Sequence, residues 1–458
     1  MDTEILARLQ FAVTIMFHYI YPPLSIGLGV VMVAMEAIYL KTGDEIYKRF
    51  AKFWTRIFAL TFAMGVATGI VMEFEFGTNW SHYSRYVGDV FGSALAAEGV
   101  FAFFLESGFL SILLFGWDRV GPKLHFFATL MVCLGAHFSA IWIVVANAWM
   151  QTPAGFHIVG EGLAARAEIV DFWAMVFNPS SMIRLAHTVV GCWLAGAFLV
   201  ISVSAYYFLK GRHPNFSRTS LKIGLGLAVV SCALQLYLGD LSAKIVAKYQ
   251  PAKLAAMEGV YHTENGVPLY LFGVPNDAMQ RVDYGIKLPD MLSYLTYGDF
   301  KAPIQGLDKI DRKDWPRVSL VFQSYHWMLY MWGAMVFFSC GAVFLWWRGT
   351  LFSSRWFMRG LVLSAIFPQI ANQTGWMTAE VGRYPWIVYN LLRISDGLSK
   401  SVTAGQILGS LIMFTVVYIM LFALFVFLLD HKIKVGPTEE DPEPQYHNLD
   451  TYLKELEK

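Results

Sequence analysis

LHFFATLMVCLGAHFSAIWIVVANAW fills Leu124–Trp149 and decides the fold: 26 residues without one Asp, Glu, Lys or Arg. At 1.5 Å per residue such a helix is about 39 Å long, and about 20 apolar residues cross a bilayer. Eight further stretches read the same way: Phe11–Ile38, Phe53–Met72, Phe91–Phe115, Ala186–Leu209, Ile223–Leu238, Val318–Trp347, Phe357–Glu380 and Ile407–Leu429. Ile223–Leu238 is the shortest. The sequence therefore predicts an all-α integral membrane protein of about nine transmembrane helices.

Composition agrees. Apolar residues make up 56% of the 458 residues and charged residues only 15%, with a mean hydropathy of +0.48. Soluble chains carry about 25% charged residues, so an ordinary soluble enzyme is excluded, as is a disordered chain. A net charge of +1 gives no field for nucleic acid. Cys133, Cys192, Cys232 and Cys340 lack metal-ligand spacing and read as buried apolar residues. The acidic start, Met-Asp-Thr-Glu, does not read as a cleavable signal peptide.

Basic residues set the topology. Odd connections carry Lys41, Lys48, Arg49, Lys52 and Arg56, then Arg119 and Lys123, then Lys210, Arg212, Arg218 and Lys222, then Arg348, Arg355 and Arg359. The expected orientation is N-terminus outside, C-terminus cytoplasmic. Residues 1–238 then hold helices one to six, 239–317 form an extracytoplasmic loop, 318–430 hold helices seven to nine, and 431–458 form a cytoplasmic tail.

Titratable groups inside apolar spans are costly and mark function. They are His18, Glu36, Glu73, Glu75, Glu98, Glu106, His137, His187, His326 and Glu380. With the orientation above, His18, Glu98, His187, Glu380 and either His326 or Met328 fall in one outer layer. Imidazole, thioether and carboxylate are all workable axial ligands for haem iron. Glu106 lies about 12 Å deeper than Glu98 and about 80° round the helix, a depth that suits a proton relay. Its bland alternative is a neutral acid bonded to Ser107, Ser139 or a carbonyl.

Longer segments carry a family likeness. VATGIVMEFEFGTNW (Val66–Trp80), EGVFAFFLES (Glu98–Ser107) and WIVVANAWMQTP (Trp142–Pro153) resemble subunit I of the cytochrome bd quinol oxidases. Asn178-Pro179, Gly239-Asp240, KLAAME (Lys253–Glu258) and Gly375-Trp376 with Glu380-Val-Gly-Arg383-Tyr-Pro-Trp386 fit the same family in order. The resemblance implies a prokaryotic cytoplasmic-membrane oxidase that oxidises ubiquinol or menaquinol at the outer face and reduces dioxygen to water. It implies His187 and Met328 as ligands of a low-spin haem b. It implies His18 and Glu380 as ligands of a high-spin haem b and haem d, in unassigned order. Glu98 matches a carboxylate beside that pair, and Glu106 and Ser139 match positions on a cytoplasmic proton path. Lys253 and Glu258 match quinol-binding residues of the outer loop, here of the short type. Arg8, Trp376 and Arg383 match the haem surroundings. A second large subunit, and in some members a small single-span one, are the implied protein partners.

Two residues depart from the family pattern. Tyr384 stands where Gln is common, and His326 stands in Tyr325-His326-Trp327-Met328 where Arg is common. His326 is thereby a rival ligand, although only one of His326 and Met328, about 200° apart on a helix, can face a given haem. The departures leave room for a cyanide-insensitive oxidase with only b-type haems. A haem-free proton-coupled transporter is the remote alternative. The aromatic share of 16% divides between span-end belts (Trp54, Trp117, Trp149, Trp315, Trp346, Trp347, Trp356) and a haem lining (Phe17, Tyr19, Phe101, Phe103, Tyr325, Trp327, Trp376, Trp386).

Overall fold

A computed structural model describes residues 2–437. The sequence's apolar stretches are helices, and eight of them, among the described residues, are long and apolar enough to cross a membrane. In chain order they involve α1 (Thr3–His18) and α2 (Tyr21–Thr42), then α3 (Glu45–Thr78). Next come α4 (Gly88–Ala97) and α5 (Phe104–Phe115), joined by a π-helical turn at Glu98–Phe103, then α6 (Pro122–Gln151), α7 (Ser181–Leu209) and α8 (Pro214–Tyr249). After the long loop follow α11 (Val318–Trp347) and α14 (Ala404–Val435); between them α12 (Arg355–Leu363) and α13 (Ile366–Val381) stand where the sequence predicts the span Phe357–Glu380 and are not among the eight. The loop holds α9 (Pro251–Glu258), the hairpin β1 (Leu269–Asn276) and β2 (Arg281–Leu288), and α10 (Met291–Tyr297). The expected tail opens with His431, Lys432 and Lys434 inside α14; residues 438–458 lie outside the described residues.

Three boundaries differ from the sequence reading, each for a local reason. The first span is two helices, because Pro22 and Pro23 lack the N–H groups that would continue α1, and they sit instead at the start of α2. The stretch 357–380 is also two helices. Pro368 cannot donate to the carbonyl of Ser364, and the chain turns there with the Ser364 hydroxyl donating to Leu361 O at 2.7 Å. The short sixth span becomes the 36-residue α8, running past Gly239 to Tyr249. Asp240 and Lys244 pair at 2.7 Å one turn apart, and Pro251 opens the next helix.

The core sits where α2 meets α3, α6 and α7. Tyr21, Leu28, Met32 and Met35 pack on Trp54, Ile57, Phe58 and Val200. Helices α2 and α7 cross at Gly27 and Gly196, where a Cβ on Gly27 would lie 2.3 Å from Cys192 O. Small residues at such crossings let backbones touch, which drives helix association in lipid. Trp54 and Trp149 are fully buried core residues rather than members of an interfacial belt, whereas Trp347 and Trp356 are exposed at helix ends. Cys133, Cys192 and Cys232 are buried as expected; Cys340 is exposed because it lies on the outward face of α11.

Gly27→Val should cost about 3 kcal/mol through overpacking. A lower melting temperature of the purified protein in detergent checks this, and an unchanged one contradicts the crossing.

Candidate functional site

Helix α13 is the post around which the site is built. The Gln373 amide donates to Met16 O at 2.7 Å, and Trp376 packs edge-on against Tyr19 at 5.5 Å. Gly375 faces the Met328 sulfur, and Asn372 lies over Gly191 of α7. One short helix thus gathers the ends of α1, α7 and α11, and with them His18, His187 and Met328.

His18 ends α1, and its Nδ1 lies 3.0 Å from Thr68 Oγ1. That hydroxyl donates its own proton to Met64 O at 2.8 Å, so it accepts from the ring. Nδ1 then carries the proton and Nε2 keeps a lone pair, the tautomer a metal ligand needs. His187 lies in the second turn of α7, with the Gln235 amide nitrogen 3.2 Å from each ring nitrogen. The Met328 side chain runs against α13.

Glu380 closes α13 inside a polar knot. Arg383 Nη2 approaches it at 2.5 Å and Asn147 Nδ2 at 2.9 Å, while Arg184 donates to Asn147 Oδ1 at 2.6 Å. Arg383 also donates to Trp386 O at 3.2 Å, and the Arg184 guanidinium lies 6.0 Å from the Trp376 ring. Sequence reasoning missed Arg184, although a charged residue three positions before His187 satisfies the same rule that found the other ionisable groups. It also missed Asn147 and Gln151, which lie within the Trp142–Pro153 stretch.

Lys253 is buried, donating to Gln151 Oε1 at 2.5 Å and to Gln250 Oε1 at 2.7 Å. Its stem fills the space beside Gly382, two residues from Glu380. Burial, then the nearby Arg184 and Arg383 charges, hold its ammonium well below the ordinary lysine value. Glu258 is buried too, but faces the other way, bonded to Tyr325 of α11 with Oε2 unpartnered. Burial pushes its carboxyl up to about 7. The two loop residues therefore lie on different faces of α9, not side by side.

Glu98 and Glu106 differ from the sequence reading. The π turn beginning at Glu98 inserts about one residue, which removes about 100° of rotation and leaves the two carboxylates about 20° apart. Both face α6: Ser139 donates to Glu98 at 2.5 Å, and Glu106 packs on Gly135, one turn away. Ser139 is thus the partner of Glu98, not of Glu106. Ser139 and Asn147 are eight residues apart, so Glu98 and Glu380 lie about 12 Å apart along α6. The expected single layer is a slab. Glu36 is taken up elsewhere by His125 at 2.9 Å and Thr129 at 2.6 Å, and Glu75 by Thr14 at 2.7 Å.

Both departures have structural roles. His326 offers neither nitrogen to a ligand: Nδ1 is 2.8 Å from Phe322 O and Nε2 is 2.9 Å from Tyr270 O. Tyr384 lies between two guanidinium groups, Arg8 at 4.6 Å and Arg317 at 5.5 Å from its ring centre. It borders a cavity of about 300 Å³ shared by Ala252, Lys309, Asp314 and Trp386. Phe101 and Phe103 are exposed at the π turn.

The chain matches the family model described as cytochrome bd terminal oxidase subunit I over residues 6–437. The chain belongs to that family. It is 38% identical to the cytochrome bd ubiquinol oxidase subunit 1 of Bacillus subtilis (strain 168), across 98% of this chain and 100% of the relative. It is 34% identical to the cytochrome bd-II ubiquinol oxidase subunit 1 of Escherichia coli (strain K12), across 95% and 97%. The fold matches the structure of bd oxidase from Geobacillus thermodenitrificans with a TM-score of 0.87 and 29% identity, covering 95% of this chain and 99% of that one. This membership makes it an oxidoreductase chain and disposes of the transporter reading.

Haem is the cofactor that family membership implies, and the donor set fits it. Each of three candidate ligands abuts a glycine: His18 faces Gly69, His187 faces Gly239 and Met328 faces Gly375, with 3.3, 3.9 and 3.1 Å to where a Cβ would stand. A side chain on Gly69 or Gly375 would crowd the candidate ligand packed against it. Arg184 Nε and Arg383 Nη1 are buried without partners, as cations awaiting propionates would be.

A carboxyl raised to about 7 is protonated below that pH and ionised above it. The Glu258 C=O stretch should therefore fade with a midpoint near pH 7 in infrared titration and be absent in Glu258→Gln. A midpoint near the ordinary carboxylate value would contradict the burial argument.

Proposed function

We propose that this chain is the haem-bearing subunit of a respiratory oxidase that takes electrons from quinol at the outer face and delivers them to dioxygen. The carrying observation is that the α9 lysine and the α13 carboxylate share one network: Lys253 packs on Gly382, and Glu380 pairs with Arg383 next to it. A quinol headgroup bound at α9 would lie close to the candidate ligand Glu380.

His187 and Met328 would hold a low-spin haem b, and His18 and Glu380 a high-spin haem b and haem d. Bound there, haem supplies one-electron transfer and oxygen binding. The chain's own residues handle protons and position. Lys253 and Glu258, on different faces of α9 and both shifted toward neutrality, are the loop groups that would bond quinol hydroxyls and accept their protons. Glu106 and Glu98, stacked along α6 with Ser139 donating to the latter, form a track for protons drawn from the cytoplasm. Arg383 and Arg184 fix the Glu380 carboxylate, and Trp376 walls the ligand group. A second large subunit completes the enzyme. Its docking covers part of the exposed apolar surface at Phe101, Phe103 and Phe104.

Reduced-minus-oxidised absorption of His187→Ala should lack the low-spin b bands while high-spin absorption persists. Met328→Leu should shift or lose the same bands, and His326→Leu should leave them in place. Intact low-spin bands in His187→Ala, or their loss in His326→Leu alone, would overturn the ligand assignment.

A further inference from the structure

The hairpin β1–β2 has an unusual setting. Among the described residues, its β1 edge pairs with no further strand. Three of its carbonyls instead accept hydrogen bonds from side chains of α11: Gln323 Nε2 to Gly273 O at 2.8 Å, His326 Nε2 to Tyr270 O at 2.9 Å, and Tyr330 OH to Leu271 O at 2.7 Å. Residues 323, 326 and 330 form one stripe on the helix, so the strand runs along it.

Depth follows from length. The 30 residues of α11 extend about 45 Å, against a hydrocarbon core of about 30 Å. Centred in the bilayer, the helix overhangs by about five residues at each end. Gln323 then stands near the boundary, and Tyr330 lies about 10 Å deeper. Water would satisfy an open strand edge, but lipid would not, and each unpaired group there costs several kcal/mol. Capping by α11 side chains is the solution that environment demands.

The outward residues agree. Phe272, Tyr284, Ile286 and Leu288 are exposed, Tyr284 by 85% and Ile286 by 61%. On α11 itself Leu320 and Trp327 are exposed on one flank of the hydrogen-bonding stripe and Leu329 on the other. The tip carries a charge cluster, where Arg281 pairs with Asp283 at 2.7 Å and Asp277 accepts from Tyr261 at 2.7 Å, beside the exposed Met279, while Lys287 opposite Tyr270 is the exposed cation of the base, with a stem long enough to carry its ammonium to water. Exposed apolar and aromatic side chains, one long lysine at the base and a charged tip suit a segment at the lipid–water boundary.

We propose that the β1–β2 hairpin is a membrane-interface element: its base is seated in the outer-leaflet lipid against α11, and its tip stands in water. The occupant of this face is lipid, not a protein subunit. The hairpin lies over Phe322 and His326, next to the Tyr325 that bonds Glu258. The bilayer surface is thereby brought to the doorstep of α9. The lipid contact itself does not depend on the quinol reading.

The test uses the assembled complex in lipid nanodiscs, with Cys340→Ser to remove the exposed thiol. Nitroxide labels at Tyr284→Cys, Ile286→Cys and the tip control Ala278→Cys are read by power saturation. Labels at 284 and 286 should be more accessible to oxygen than to a water-soluble nickel chelate, and the order should reverse at 278. Greater access to nickel at 284 and 286 would overturn the proposal, as would shielding from both reagents, which marks a protein cover. On the unmodified complex, a photoreactive phospholipid should attach within residues 269–288. Attachment elsewhere but not there would likewise overturn it.

Discussion

A carboxylate at the end of an apolar helix is the constraint on which the site depends. Glu380 sits where an unpaired charge would cost several kcal/mol, and the surroundings are arranged to prevent that. Arg383 and Asn147 hold its two oxygens, and Arg184 holds Asn147. These residues come from α6, α7 and the turn after α13, so satisfying one charge locks three parts of the chain together. Lys253, packed on Gly382, adds the loop helix α9 to the same assembly. Removing one partner of such a buried pair typically costs 3–5 kcal/mol, so Arg383 holds local structure as well as chemistry.

Around that knot, α13 works as a ruler. Its residues 372, 373, 375 and 376 touch α7, α1, α11 and the α1–α2 break in turn. The break after His18 is part of the design. Because Pro22 and Pro23 stop α1, the imidazole stands at a helix end, where Thr68 of α3 can set its tautomer. The family-atypical residues belong to the scaffold: His326 staples the hairpin, and Tyr384 separates Arg8 from Arg317.

Much of this was legible in the sequence. Apolar run length gave the spans, because burial in lipid leaves little choice but helix. The cost of titratable groups in lipid singled out His18, His187, Glu98, Glu106 and Glu380. What could not be read depends on tertiary partners. The π turn at Glu98 carries no sequence signal, yet it swings Glu98 and Glu106 onto one side. Trp54 and Trp149 look like interface residues by position and are core residues by packing. The opposite orientations of Lys253 and Glu258 follow from what α9 touches, not from their spacing.

Under the proposed function, quinol bound at the loop residues reduces haem held by the α1, α7, α11 and α13 ligands. The direct measurement is anaerobic addition of ubiquinol or menaquinol to the purified, unmodified complex while following haem absorption, then admission of oxygen. Prompt appearance of reduced b-type bands, with a d-type band in the red, and reversal by oxygen are the expected results. A colourless complex, or haem bands that neither quinol reduces nor oxygen reoxidises, would contradict it.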